Sequence, residues 1–181
     1  MLGLEFSIHH HGCPGTRSTE RFPDVQSKVL SCAVDHEGVV SSLRSVESRT
    51  TEELNGYLNF WRQHSGVRRF RLAALDEREA LFSVMWAPAG RSILEVILEH
   101  GGFYSTPIPM CDGLETWTVL LPKETGRLEL FSNLEAVGVV KMTRVRRVDR
   151  SDALSTGSWA FAGTSPPASA DPEDCLRSRI L

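Results

Sequence analysis

His9, His10, His11 and Cys13 form the densest run of ligand-type side chains in the chain. On an extended strand, His9, His11 and Cys13 share one face, and imidazole with thiolate is a donor set suited to zinc. A fourth ligand would have to come from a distance, for example Cys32 or His36. Neither CxxC nor HExxH spacing accompanies the run, so the competing reading is a polar strand end with incidental histidines, and no metal site is assigned. Cys13 alone would serve as a redox-sensing thiol only if it were exposed and its pKa depressed.

Catalytic motifs are missing. The chain has no GxSxG elbow, no GxxxxGK[ST] phosphate loop and no GxGxxG fingerprint, and its acidic residues fall mostly at helix starts and turns. The expectation is a non-enzyme with no catalytic residues, no cofactor and a ligand-binding site of unknown position. Arg68, Arg69 and Arg71, with Lys141, Arg144, Arg146, Arg147 and Arg150, make two basic stripes that would attract a phosphate backbone. Basic strands are also a common guard against edge-to-edge aggregation, and the net charge is −3, so no DNA-binding residue is assigned. Trp61, Trp86 and Trp117 each lie in an apolar-periodic element and are expected in the core or at an interface.

The elements that must carry these residues follow from periodicity. Leu4, Phe6 and Ile8 alternate with polar residues as in a half-buried strand. Gly12, Pro14, Gly15 and Pro23 then bracket a polar segment with room for at most one helical turn near Ser18 to Phe22. Val25 to Val34 and Val39 to Val46 read as a hairpin around Asp35-His36-Glu37-Gly38. Thr50 with Glu53 makes a capping box ahead of Leu54, Leu58 and Trp61 at helical spacing.

A second series follows. Ala80 to Trp86 is an apolar strand, and Ser92 with Glu95 caps a helix stopped by Gly101-Gly102. Phe103 to Pro109 reads as an edge strand because proline cannot donate to a central ladder. Asp112-Gly113 turns into a strand with Trp117, Val119 and Leu121 on one face. A last helix, Arg127 to Val137, leads into a strand Val139 to Val148 whose face changes between Met142 and Val145, which predicts a bulge.

Helix, glycine and basic strand recur in both series, at Gly66 and at Gly138, each glycine suiting a left-handed helix stop. The expected fold is α+β: two tandem ferredoxin-like (ACT-like) βαββαβ sandwiches, residues 1–76 and 77–150, the first with a degenerate opening helix. Ser151 to Leu181, rich in Ser, Ala, Gly and Pro, is expected to be a disordered tail.

At 181 residues, 41% hydrophobic and 24% charged, the chain suits one domain or two small ones. No apolar run approaches the ~20 residues that span a bilayer, and Met1 to Glu5 lacks signal-peptide character. Scattered Cys13, Cys32, Cys111 and Cys175 fit reduced thiols. A cytoplasmic location with no membrane partner is expected.

His11-Gly12-Cys13-Pro14 with Glu20-Arg21-Phe22-Pro23-Asp24-Val25, then Asp112 to Val119, then Leu134 to Gly138 and Val145 to Val148, resemble the N-terminal region of archaeal bacterio-opsin-activator-like helix-turn-helix regulators. The resemblance covers about residues 4 to 150. It implies a sensory or dimerising module that precedes a DNA-reading domain, yet no segment after Arg150 offers two apolar-periodic helices joined by a short turn. The expected function is therefore the sensory and oligomerisation region of an archaeal transcription regulator. Its expected partners are a second copy of the chain and an unidentified small-molecule effector, with DNA reached only through a domain missing from this chain. The alternatives are a stand-alone small-molecule-binding or pairing module, or a metal or thiol sensor centred on His9 to Cys13.

Overall fold

The structure is a computed structural model that describes residues 1–122 and 126–148; the expected tail at 151–181 lies outside them. Along the chain run β1 (Leu2–His10), α1 (Pro14–Arg21), β2 (Val25–Val34), β3 (Val40–Ser48), α2 (Thr51–Gln63), β4 (Val67–Leu75) and β5 (Glu79–Trp86). They are followed by α3 (Ile93–Glu99), β6 (Phe103–Tyr104), β7 (Ile108–Cys111), β8 (Leu114–Leu121), α4 (Arg127–Val137) and β9 (Gly138–Arg147). The fold is mixed α+β, with the strands in one antiparallel sheet of order β4-β5-β3-β2-β7-β8-β1-β9 and β6 attached to β8.

The sheet is continuous across the expected boundary at 76/77. β1 lies between β8 and β9, while β5 lies between β3 and β4. The connection after β4 explains why. Only Asp76, Glu77 and Arg78 separate β4 from β5, and the turn is closed by Asp76 N–H donating to the Glu79 carbonyl at 2.8 Å. So short a link makes β5 the antiparallel neighbour of β4.

One face of the sheet carries the core. Directly paired residues share a face, and the row Val46, Ser27, Met110, Glu115, Ile8 and Val140 runs across five neighbouring pairings. The first five are buried and Val140 is partly buried. In one half Leu4, Phe6, Ile8, Trp117 and Val119 pack against Ile93, Ile97, Leu130 and Leu134 from α3 and α4. In the other half Phe82 and Val84 pack against Leu54, Tyr57, Leu58 and Trp61 from α2. The opposite face carries mainly half-buried hydroxyl residues such as Ser7, Ser41, Ser45, Ser83, Thr116 and Thr118.

Local signals account for most ends. Thr50 accepts from Glu53 N–H at 3.2 Å, and Ser92 with Glu95 forms the full reciprocal box. Gly101 is left-handed at φ +64, and Gly102 N–H closes the α3 terminus onto the Ile97 carbonyl. Asp112 and Gly113, both at positive φ, join Cys111 to Leu114 in a two-residue hairpin. The bulge in β9 is present: Phe6 pairs with Met142 but Glu5 with Arg144.

Several expectations are corrected. The opening helix is not degenerate: α1 is a full 8-residue helix with Pro at its start. Its buried face is Thr16, Ser18 and Thr19, so it carries no apolar period. The Ser18 and Thr19 hydroxyls are satisfied within the helix, Ser18 donating to the Gly15 carbonyl at 2.7 Å and Thr19 to the Thr16 carbonyl at 3.1 Å.

The expected edge strand near Pro109 is interior, because β7 bridges β2 and β8. Pairing with β8 involves only Met110 and Cys111, so Pro109 lies beyond that ladder. Gly66 and Gly138 are not left-handed stops. Gly138 is extended at φ −174 and permits close approach, since a Cβ there would lie 2.5 Å from the His9 carbonyl oxygen. Cys13 and Cys32 are free thiols, but Cys111 is disulfide-bonded, against the expectation of reduced cysteines throughout.

Candidate functional site

His10 is the last inward-facing residue of β1, two positions beyond Ile8. Ile8 is paired with Glu115, so His10 and Glu115 are diagonal neighbours across β1 and β8, within reach of long side chains. The chain then leaves the sheet through left-handed Gly12 (φ +75) and enters α1 with Cys13 as N-cap. Cys13 has the extended backbone of a cap (φ −73, ψ 124) but its side chain makes no cap hydrogen bond. The thiol is 2% exposed and lies beneath the helix with His10 and Glu115. The ligand-type atoms of these three buried residues all fall within 4.8 Å of one another.

Each member is held from behind. His10 Nε2 donates to the Arg91 carbonyl at 3.3 Å, and its Nδ1 lies 3.6 Å from Glu115 Oε1. Glu115 Oε2 accepts from Trp117 Nε1 at 3.1 Å, and Oε1 accepts from Thr16 Oγ1 at 3.4 Å. A buried cation, Arg44 on β3, completes the surroundings. Its Nε donates to Ser42 Oγ at 3.1 Å, one terminal nitrogen lies 2.9 Å from Met110 Sδ, and the guanidinium sits 4.6 Å above the Trp61 ring.

The electrostatics are set by this enclosure. Burial of His10 favours the neutral ring, but hydrogen bonds and negative charge from Cys13 and Glu115 outweigh it and hold the imidazole pKa up to about 10. Burial likewise opposes ionisation of Glu115, yet His10, Cys13 and Arg44 hold its pKa below the usual carboxylate value. A cavity of about 40 Å³ adjoins the cluster, lined by His10, Cys13 and Glu115 together with Cys32, Arg44 and Trp86. It lies at the seam where β2 meets β7, so its walls come from both halves of the sheet.

The histidines singled out by spacing do not converge. His9 Nε2 is paired with Glu20 Oε1 at 2.7 Å on the exposed surface, and His11 is exposed. Left-handed Gly12 and the helix start at Pro14 break the strand, so alternation cannot carry from His11 to Cys13. Cys32 does reach the cavity wall, where burial pushes its thiol pKa up and Tyr104 Oη donates to its carbonyl at 2.6 Å. His36 is exposed in the hairpin turn.

The basic strands β4 and β9 are the two edges of the sheet, with Arg68, Arg69, Arg71, Lys141, Arg144 and Arg147 exposed; Arg150 lies outside the described residues. Trp61, Trp86 and Trp117 are all buried. Spacing missed His10, Glu115 and Arg44. A signal for Glu115 was present: it precedes Trp117, Val119 and Leu121 at the same period of two, which places a carboxylate on the buried face.

No helix among the described residues is long and apolar enough to cross a membrane. No curated protein and no solved structure matches the chain. A family match does exist, and it runs from residue 3 to residue 138, taking in β1, the α1 entry and β8, and hence every member of the seam cluster. The chain belongs to the HVO_2525_N, N-terminal family of archaeal proteins.

Proposed function

We propose that this chain is the sensory and pairing region of an archaeal transcription regulator, of the bacterio-opsin-activator-like kind, and that it senses through the seam cluster. In this reading the fold is two ferredoxin-like (ACT-like) halves with exchanged opening strands. Each half has the order of that sandwich, β4-β5-β3-β2 and β9-β1-β8-β7, once β5 and β1 trade places. DNA contact is assigned to another domain or chain.

The observation that carries the reading is the cavity with buried charge at the seam. A packing core has no use for a buried His, Glu and Arg, whose desolvation is costly. A site whose walls come from both halves lets an occupant favour one relative arrangement over another. Such differential binding is what couples a ligand to a distant reader.

The test is transcript profiling in the archaeal host of a deletion strain and of a Glu115→Gln allele. The expected result is that both shift the same discrete set of transcripts. An unchanged profile on deletion would overturn the regulatory reading. A deletion effect that Glu115→Gln fails to reproduce would remove the seam from the sensing role.

A further inference from the structure

We propose that His10, Cys13 and Glu115 bind a divalent transition-metal ion of the zinc class, a deepening that rests on the seam being the sensing site. The donor set is one imidazole nitrogen, one thiolate sulfur and one carboxylate oxygen, all ordinary zinc ligands. Bond lengths of about 2.0–2.3 Å put tetrahedral ligand atoms roughly 3.3–3.8 Å apart. His10 Nδ1 and Glu115 Oε1 stand 3.6 Å apart, and all three ligand atoms lie within 4.8 Å of one another.

The supporting contacts are those of a metal centre. Ligating histidines characteristically donate their second ring N–H to a carbonyl or carboxylate, which fixes the tautomer; His10 Nε2 donates to the Arg91 carbonyl and leaves Nδ1 turned to the cluster. Glu115 is gripped by Trp117 and Thr16, the hydrogen bonding that orients a ligating carboxylate. The Cys13 thiol makes no helix-cap bond although it occupies the cap position; its polar contacts are with His10 and Glu115, the other two members of the set.

Three protein ligands beside a cavity of about 40 Å³ leave space for a water in the fourth position, since one water needs roughly 10–15 Å³. Trp86, whose Nε1 is buried without a protein hydrogen-bond partner, lines the same cavity and offers such a water a donor. A doubly charged ion balances the thiolate and carboxylate. Arg44 does not replace it, because its guanidinium is held on Ser42, Met110 and Trp61.

The experiment uses the full chain, purified under reducing conditions, stripped with a chelator and titrated with cobalt(II) and then zinc(II). The expected result is one equivalent per chain, with a near-ultraviolet thiolate-to-cobalt charge-transfer band that zinc abolishes. Cys13→Ser should lose the band while retaining the wild-type circular dichroism; Glu115→Gln serves the same purpose if that variant does not fold. The exposed pair His9→Ala/His11→Ala should bind as wild type, and Trp117→Phe should bind about 10-fold more weakly.

Absence of stoichiometric binding by the wild type would overturn the proposal, as would binding that survives Cys13→Ser and is lost in the His9/His11 variant. The two readings fail separately. A chain that binds no metal while Glu115→Gln still shifts transcripts remains a sensor of another ligand, and metal binding without any transcript effect leaves a metal site outside regulation.

Discussion

The helix that follows β1 and the helix that follows β5 are built from opposite materials. After β5 the chain enters α3, which buries Ile93, Leu94, Val96 and Ile97 and is closed at its N-terminus by the Ser92–Glu95 capping box. After β1 it enters α1, which buries Thr16, Ser18 and Thr19 and has at its N-cap a cysteine that caps nothing. Strand ends differ in the same way, Trp86 in one case and His10 in the other. One crossover is committed to packing. The other gives up apolar contact and places a thiol, an imidazole and a hydroxyl around a buried carboxylate.

This contrast can be broken at its packing end first. Ile97→Ala should cost about 2–5 kcal/mol in denaturant unfolding, the range for truncating a fully buried aliphatic side chain; a loss below about 1 kcal/mol would mean that α3 is not the anchor it appears from its burial. At the polar end, Thr16→Val removes the hydroxyl that donates to Glu115 Oε1 with little change in shape. A loss of about 1.5 kcal/mol is expected, as for hydrogen bonds to charged groups, and no loss would show that the α1 hydroxyls are filler.

Exchanging cap chemistry sharpens the contrast. Ser92→Ala should cost about 1 kcal/mol, the usual value of a cap, whereas Cys13→Ser should leave stability within about 1 kcal/mol of wild type, because it supplies a capping oxygen where none acts now. Equal losses from both, measured by the same unfolding curves, would erase the distinction between the two crossovers.

The smallest effect lies away from both, in the β2–β3 hairpin. Backbone N–H groups of Val39 and Glu37 donate to Asp35 and hold its pKa below the ordinary carboxylate value. A depressed pKa contributes stability above the unfolded value, near 3.8, and that contribution is lost as pH falls through the lower folded value. Amide exchange at residues 37–39 should therefore quicken on acidification below about pH 4 and should lose this dependence in Asp35→Asn.

Elements governed by neighbouring residues were legible in the sequence. The Ser92–Glu95 box, the Asp112-Gly113 turn, the α2 stripe and the β9 bulge all depend on contacts within a few positions. Strand partners were not, because the alternation of Leu4, Phe6 and Ile8 reports a buried face without saying which strand lies beside it. The three-residue link at Asp76 to Arg78 did contain that information for one pair, since so short a connection places β5 beside β4. α1 escaped notice for a different reason: a helix that buries hydroxyls bonded to its own carbonyls shows no hydrophobic period. The site was half visible. Cys13 stood out, but its true companions depend on a left-handed Gly12 that changes the parity of the strand and on a carboxylate from the far end of the chain.

The placement of β1 also sets a timetable for synthesis. β1 pairs only with β8 and β9, so it leaves the ribosome long before Leu114–Leu121 exists to receive it. Until then Leu4, Phe6 and Ile8 form an apolar strand with two open edges, a species prone to adhere to other chains. β4 finds β5 almost at once through the tight link, so the half around α2 can assemble during translation. The half that holds His10 and Glu115 must wait for synthesis of β8 and β9. The cluster therefore cannot form before β8, which carries Glu115, has been synthesised.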